Sequence, residues 1–260
     1  DQPHHPASRF SALGCRSRKM FSWARSFGLC DVNPVSDTAR AGPDVRRERV
    51  LTVRELGEIY LSASKSGDVF GDIVRFLMLT GQRRGEVLGA TIEEIDFEGR
   101  IWRLPAARTK NNREHVVPLS LTCIDIIRSR PRYGRILFST SSGTQFGAVD
   151  KAKKRLDKMI LDRRMLEKAS AKPMPHWTLH DLRRSFVTHC HGELGITLPV
   201  LERAINHVSG SFGGVVGIYN RAQLLPERVA AFEAWEGFVL RSADCVTGRV
   251  EPVKGDGRHA

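Results

Sequence analysis

No stretch of this sequence approaches the ~20 consecutive apolar residues that a membrane-crossing helix requires. Its polar opening, DQPHHPAS, also lacks the apolar core of a signal peptide. Both absences point to the cytosol. Cysteine is scarce: Cys15, Cys30, Cys123, Cys190 and Cys245 are odd in number, widely spaced and form no Cys-x-x-Cys. That argues against a disulfide framework or a zinc site and leaves reduced, mostly buried thiols. His189-Cys190-His191 is no exception, because consecutive helical residues point ~100° apart and do not converge on one ion. Tyrosine is rarer still, with only Tyr60, Tyr133 and Tyr219. No internal repeat divides the 260 residues, enough for one full core and one or two domains.

Acidic residues are outnumbered. Forty-one Lys and Arg against 29 Asp and Glu give a net charge of +12, a field that attracts polyanions, of which nucleic acid is the usual one. The hydrophobic content of 41% with 27% charged residues excludes a collagen-like or wholly disordered chain. The charge alone says nothing about chemistry.

Periodicity predicts an α+β protein, mostly α-helical, with a small antiparallel sheet. Lys19 to Leu29 reads as one amphipathic helix with Phe21, Ala24, Phe27 or their neighbours inward, ended by Asn33-Pro34. Residues 36–50 read as a linker whose Arg40, Arg46, Arg47 and Arg49 track a polyanion. Thr52 and Glu55 form a capping-box signature for a helix through Ala63. Asp68 to Leu79 places Val69, Ile73, Phe76 and Leu77 on one stripe, and a short helix starts near Arg83. Ile95–Phe97, Arg100–Leu104 and Glu114–Leu119 read as strands, the last two joined by a polar hairpin whose Asn111-Asn112 suits a turn. Helices follow at Thr122–Ser129, at Ala148–Ala169, after Thr178, from Thr197-Leu198-Pro199, and at Leu224–Leu240 with Val229, Phe232, Trp235 and Val239 inward.

Several residues suit phosphate chemistry. In Thr80-Gly81-Gln82-Arg83-Arg84-Gly85-Glu86 an arginine starts a helix after a glycine turn and offers a planar fork for two phosphate oxygens. His180-Asp181-Leu182-Arg183 sets a histidine and an arginine on one helix face. Lys110 stands at the hairpin tip, and Tyr219 follows the glycine-rich run Gly210–Gly217. Taken singly, each has an equally good structural explanation: a solvated arginine, a chance His-x-x-Arg, a hairpin lysine, a packing aromatic.

Taken in order they say more. Thr-Gly-x-Arg-x-x-Glu, Lys110, His-x-x-Arg, Asn206-His207 and Tyr219 resemble the phage integrase family of tyrosine recombinases, from about Leu51 to Trp235. The segments LMLTGQRRGEVLGA, RTKNNREHVVPLS, TLHDLRRSFVTH and LERAINHVSGSFGGVVGIYNR look like family segments too. The resemblance implies a tyrosine-recombinase catalytic fold over 51–243, with a flexible tail over 244–260. It implies a catalytic set of Arg83, Lys110, His180, Arg183, His207 and the nucleophile Tyr219, with Glu86 supporting Arg83. His207 and Tyr219 are separated by an enlarged Ser209–Gly214 loop, similar to a glycine-bearing variant of some integrases.

The implied function is site-specific recombination for a phage or mobile element, through a 3′-phosphotyrosine and without ATP, metal or other cofactor. The implied partners are double-stranded DNA at attachment sites and further copies of the chain, monomeric in solution and tetrameric on DNA, with an accessory bending protein. The implied location is the bacterial nucleoid, without a membrane. KMFSWARSFGLCDVNPV resembles the end of the family's core-binding domain, so 1–35 reads as a remnant of it, and the chain is expected to bind DNA weakly and with steep salt dependence. Alternatives are a non-catalytic DNA-binding remnant and a type IB topoisomerase-like relaxing enzyme. The last helix has two possible seats, in cis or on a neighbouring protomer.

Overall fold

The computed structural model describes residues 17–36, 48–207 and 224–249 of a chain that divides into two units, 1–48 and 49–260. In the first unit, helix α1 spans residues 17–26. It is shorter than the sequence predicts because Gly28 takes a left-handed conformation and the Leu29 N–H returns to the Ala24 carbonyl (2.9 Å). Phe27 therefore falls on the terminating turn, exposed and against Trp23 (4.9 Å between ring centroids), not inward as its spacing suggests. Asn33 closes the segment: its amide donates to the Arg18 carbonyl (3.0 Å) and accepts the Val35 N–H (3.0 Å).

The second unit starts with a side chain the sequence assigns elsewhere. Arg49 is ion-paired with Glu55 (2.6 Å) and largely covered, which takes it out of the expected DNA-tracking linker. Thr52 and Glu55 cap α2 (Val53–Ser66) reciprocally, as predicted. Asp68 caps α3 (Val69–Thr80), and Gly81 ends it in the left-handed region. Phe70, Val74, Met78 and Leu79 of α3 are buried as well as Ile73, Phe76 and Leu77, so α3 is a central helix covered nearly all round. After α4 (Arg84–Leu88) come strands β1 (Ile95–Asp96), β2 (Ile101–Leu104) and β3 (His115–Pro118), antiparallel in that order. Trp102 faces Val117 and Leu104 faces His115, and this alternate set forms the buried side of the sheet.

Helices α5 (Leu121–Ser129), α6 (Val149–Glu167), α7 (Leu179–Gly192), α8 (Leu198–Ala204) and α9 (Leu225–Val246) complete the unit. In α6, Ala152, Leu156 and Ile160 are buried, Val149 and Met159 are half-buried, and Lys151, Lys154, Arg155 and Lys158 face solvent. Two expectations about α9 need correction. The helix continues through residue 244 to Val246, with Ser242 and Ala243 buried, so the tail does not begin where the composition changes. Its buried set also includes Arg228, next to the half-covered Val229 that was expected inward.

What holds α9 is close backbone contact in cis. A Cβ on Gly57 of α2 would lie 2.2 Å from the Ser242 carbonyl oxygen, so only glycine allows this approach. Trp235 donates its indole N–H to the Met78 carbonyl (2.8 Å) and packs with Phe186 and Phe238, centroids 5.4 Å away in each case. His189 of α7 joins this aromatic group and bonds through Nε2 to the Leu51 carbonyl (2.7 Å), while the Leu51 N–H donates to Ser185 Oγ (2.8 Å). The chain thus enters the unit clasped at both backbone groups by α7.

Among the described cysteines none is in a disulfide; Cys123 and Cys190 are buried, and burial pushes the Cys123 thiol up to about 12. Among the described residues no helix is long and apolar enough to cross a membrane.

Candidate active site

Helix α8 ends in a Schellman turn. Asn206 occupies its left-handed position (φ 49°), its N–H reaching the Arg203 carbonyl (3.3 Å), and the His207 N–H reaches the Glu202 carbonyl (2.9 Å). The last carbonyls of any helix lack partners within it, and here side chains from distant segments supply them. Gln82 Nε2 donates to the Ala204 carbonyl (2.9 Å), Arg183 Nη2 to that of Ile205 (2.6 Å), and Arg83 Nη2 to that of Asn206 (3.2 Å). Three successive carbonyls therefore align two arginines and a glutamine.

Each arginine is fixed from a second side. Arg83 Nη1 donates to Glu86 Oε1 (2.9 Å), and the same carboxylate accepts the Arg83 N–H (3.0 Å), so Glu86 orients the guanidinium while starting α4. Arg183 Nη1 donates to the Gly81 carbonyl (2.9 Å), at the glycine turn that ends α3. A guanidinium has more N–H groups than these contacts use, which leaves both forks able to serve an anion. Arg183 is buried, and burial, then the nearby Arg83 charge, lower its pKa to about 10. Two cations this close favour a shared anion between them.

His180 lies one turn before Arg183 on α7, whose start is capped by Thr178 and the buried Asp181. Its ring reaches solvent, yet its pKa is lowered, first by partial desolvation and then by the Arg184 and Arg183 charges. The shift favours the neutral imidazole over its protonated form.

Lys110 stands exposed in the loop between β2 and β3. Thr109 shapes that loop: its hydroxyl accepts the Arg113 N–H (3.0 Å) and bonds the Arg113 carbonyl (2.7 Å), while Asn112 takes the positive φ that suits asparagine. Asn111 points the other way and makes a reciprocal amide pair with Asn206, Nδ2 to Oδ1 at 2.6 Å and the return bond at 3.1 Å. The lysine loop is thereby tied to the turn that holds Arg83.

Of the six residues the sequence nominates, the structure gathers Arg83, Arg183 and His180, places His207 exposed at the end of the same turn, and draws the Lys110 loop onto it. Tyr219 and its glycine-rich run lie outside the described residues.

Sequence reasoning missed the supporting layer. Gln82 is buried and bonds the Thr80 carbonyl (2.7 Å) as well as that of Ala204, and its Oε1 lies 3.1 Å from His115 Nε2. Alternation with Val117 along β3 was the signal available for His115. Burial, then the Arg228 and Arg183 charges, hold the His115 pKa down at about 3. Arg228, which donates to the Val116 carbonyl, is itself lowered to about 10 by burial and Arg203.

The buried histidine has a measurable consequence. An unfolded histidine binds its proton below about pH 6.5 whereas native His115 stays neutral, so the unfolded state gains protons first and stability falls as pH drops from there toward 3. One such proton costs about 1.4 kcal/mol per pH unit below that point. In urea titrations at pH 7 and pH 5, the wild type should lose about 2 kcal/mol more than His115→Gln; equal losses would refute the neutral assignment.

Comparison with known proteins bears on what this arrangement belongs to. The chain is 26% identical over 235 residues to the prophage integrase IntA of Escherichia coli K12, covering 88% of this chain and 54% of that protein. It is 26% identical over 224 residues to the integrase of Shigella phage Sf6, covering 85% and 56% respectively. The chain thus spans about half the length of the curated relatives it matches. A solved lambda integrase dimer bound to a COC′ core site aligns with 78% of this chain and 73% of its own, at 18% identity and a TM-score of 0.48. The decisive match is the model of the phage integrase family, which covers residues 50–223 and so takes in both arginine segments, the hairpin loop, the α8 turn and Tyr219. The chain belongs to the phage integrase family.

Proposed function

We propose that this chain carries the catalytic domain, residues 51–243 with the remainder of α9, of a site-specific DNA recombinase that cleaves and rejoins strands through a 3′-phosphotyrosine. The observation that carries the reading is the convergence on one helix end. Arg83 and Arg183 reach successive carbonyls of the α8 turn, and the Lys110 loop is tied to the same turn by Asn111.

In the reaction, the Tyr219 oxygen bonds to phosphorus as the bond to the 5′-oxygen breaks. Arg83 and Arg183 hold the non-bridging oxygens and stabilise the added charge of the five-coordinate state. Lys110 gives a proton to the departing 5′-oxygen, and the neutral ring of His180 is available to accept the phenolic proton. His207 assists in positioning the phosphate. A 5′-hydroxyl from another strand then attacks the phosphotyrosine and releases Tyr219. The substrate is double-stranded DNA at attachment sites, on which four copies of a chain monomeric in solution assemble, with an accessory bending protein. Residues 1–35 act as part of a core-binding domain, and 36–48 as its linker. A nicked suicide substrate, on which the cleaved product diffuses away, tests the reading by trapping a covalent adduct at Tyr219.

A further inference from the structure

The α8 turn uses asparagine where glycine is the usual choice. Position 206 is left-handed, a conformation in which a β-carbon is strained and glycine is not. The side chain kept there makes one reciprocal amide pair, with Asn111, 95 residues earlier in sequence and adjacent to Lys110. The backbone of the same residue holds Arg83. One residue therefore touches both the arginine segment and the lysine loop, which otherwise belong to separate elements. Inside its loop, Lys110 is next to Thr109, whose two bonds to Arg113 keep the hairpin closed without fixing where the tip lies. Arg108 anchors the base of the loop to the Glu86 carbonyl (2.6 Å), and the Asn111–Asn206 pair fixes its tip.

We propose that Asn111 and Asn206 are positioning residues that fix the Lys110 ammonium at the leaving 5′-oxygen relative to the arginine-held phosphate. The inference rests on Lys110 being the proton donor. An amide pair suits this task better than an ion pair, because it adds no charge beside the phosphate and holds the loop by two parallel bonds. In the step concerned, the phosphorus–O5′ bond breaks, its electron pair stays on oxygen, and the proton comes from Lys110. With sulfur in place of the bridging oxygen, the leaving group departs as a thiolate and needs no proton.

This difference provides the experiment. Single-turnover cleavage is measured on an ordinary nicked suicide duplex and on one with a 5′-bridging phosphorothiolate, using wild type, Lys110→Ala, Asn111→Ala and Asn206→Gly. Glycine at 206 preserves the left-handed turn and the carbonyl that holds Arg83, so this variant folds, with an unchanged thermal midpoint as the check. On ordinary DNA, Asn206→Gly and Asn111→Ala should cleave about 10- to 100-fold more slowly, the scale of a donor displaced by an ångström. On the phosphorothiolate both should return to within about threefold of wild type, as Lys110→Ala should. Wild-type cleavage of ordinary DNA by Asn206→Gly overturns the proposal. So does a loss in the asparagine variants that persists on the phosphorothiolate while that of Lys110→Ala is relieved, since the pair would then serve the arginines. If Lys110→Ala itself is not relieved, the proton-donor reading falls first and the positioning role with it.

Discussion

Tyr219→Phe should form no covalent adduct with a nicked suicide duplex on which the unsubstituted chain accumulates one. The substitution removes a single oxygen, and a phenyl ring is no nucleophile, so cleavage should fall on the order of 10⁶-fold, the scale at which only background remains. DNA binding, measured by fluorescence anisotropy, should stay within about twofold because the cationic surface is unaltered. The chain contains two other tyrosines that make the assignment sharp. Tyr60 is buried on α2 with the Arg75 guanidinium over its ring, out of reach of a duplex. Tyr133 is exposed, beyond the end of α5, and is the natural control. An adduct that survives in Tyr219→Phe and disappears in Tyr133→Phe would remove the nucleophile from the glycine-rich run altogether.

Arg183→Lys should be nearly as damaging as Arg183→Ala. Lysine keeps the charge but not the planar fork that serves the Gly81 and Ile205 carbonyls and a phosphate together. Loss of one such donor to a transition-state oxyanion costs about 3 to 4 kcal/mol, or 10²- to 10³-fold in cleavage rate. Cleavage by either variant should fall by that amount in single-turnover assays at saturating DNA. A lysine variant within tenfold of wild type would mean that charge alone suffices at this position. Fold loss is separated from lost chemistry by a denaturation midpoint, since the carbonyls left unpaired in the alanine variant weaken the unit by about 1 to 3 kcal/mol.

Much of this was legible in the sequence. The caps Thr52–Glu55 and Thr178–Asp181 and the proline at the start of α8 are local chemistry, set within a few residues. The order of Arg83, Lys110, His180, Arg183, His207 and Tyr219 nominated a candidate site because a series spread over the chain rarely arises by chance. What escaped notice shares another property. The acceptors that align the arginines are main-chain carbonyls, which every residue has and no sequence distinguishes. Asn111 looked like half of a turn pair, and only its spatial neighbour shows that Asn112 takes the turn while Asn111 reaches across to α8. Arg228 was hidden by its neighbours: a charge beside Val229 in an amphipathic helix reads as the solvent edge. It is buried because the Val116 carbonyl of β3 receives it. The α9 boundary was missed because Ser242 and Ala243 are small and unremarkable until Gly57 admits them.

The carbonyl ladder at the end of α8 ties two histories together. Arg83 and Arg183 complete a helix terminus as well as face the proposed phosphate, so their loss harms the native state even where no DNA is ever cut. In an abandoned copy of such a gene, drifting under selection for solubility alone, the two arginines would be kept for the helix end they complete. A dead integrase of this build would still carry its phosphate clamp.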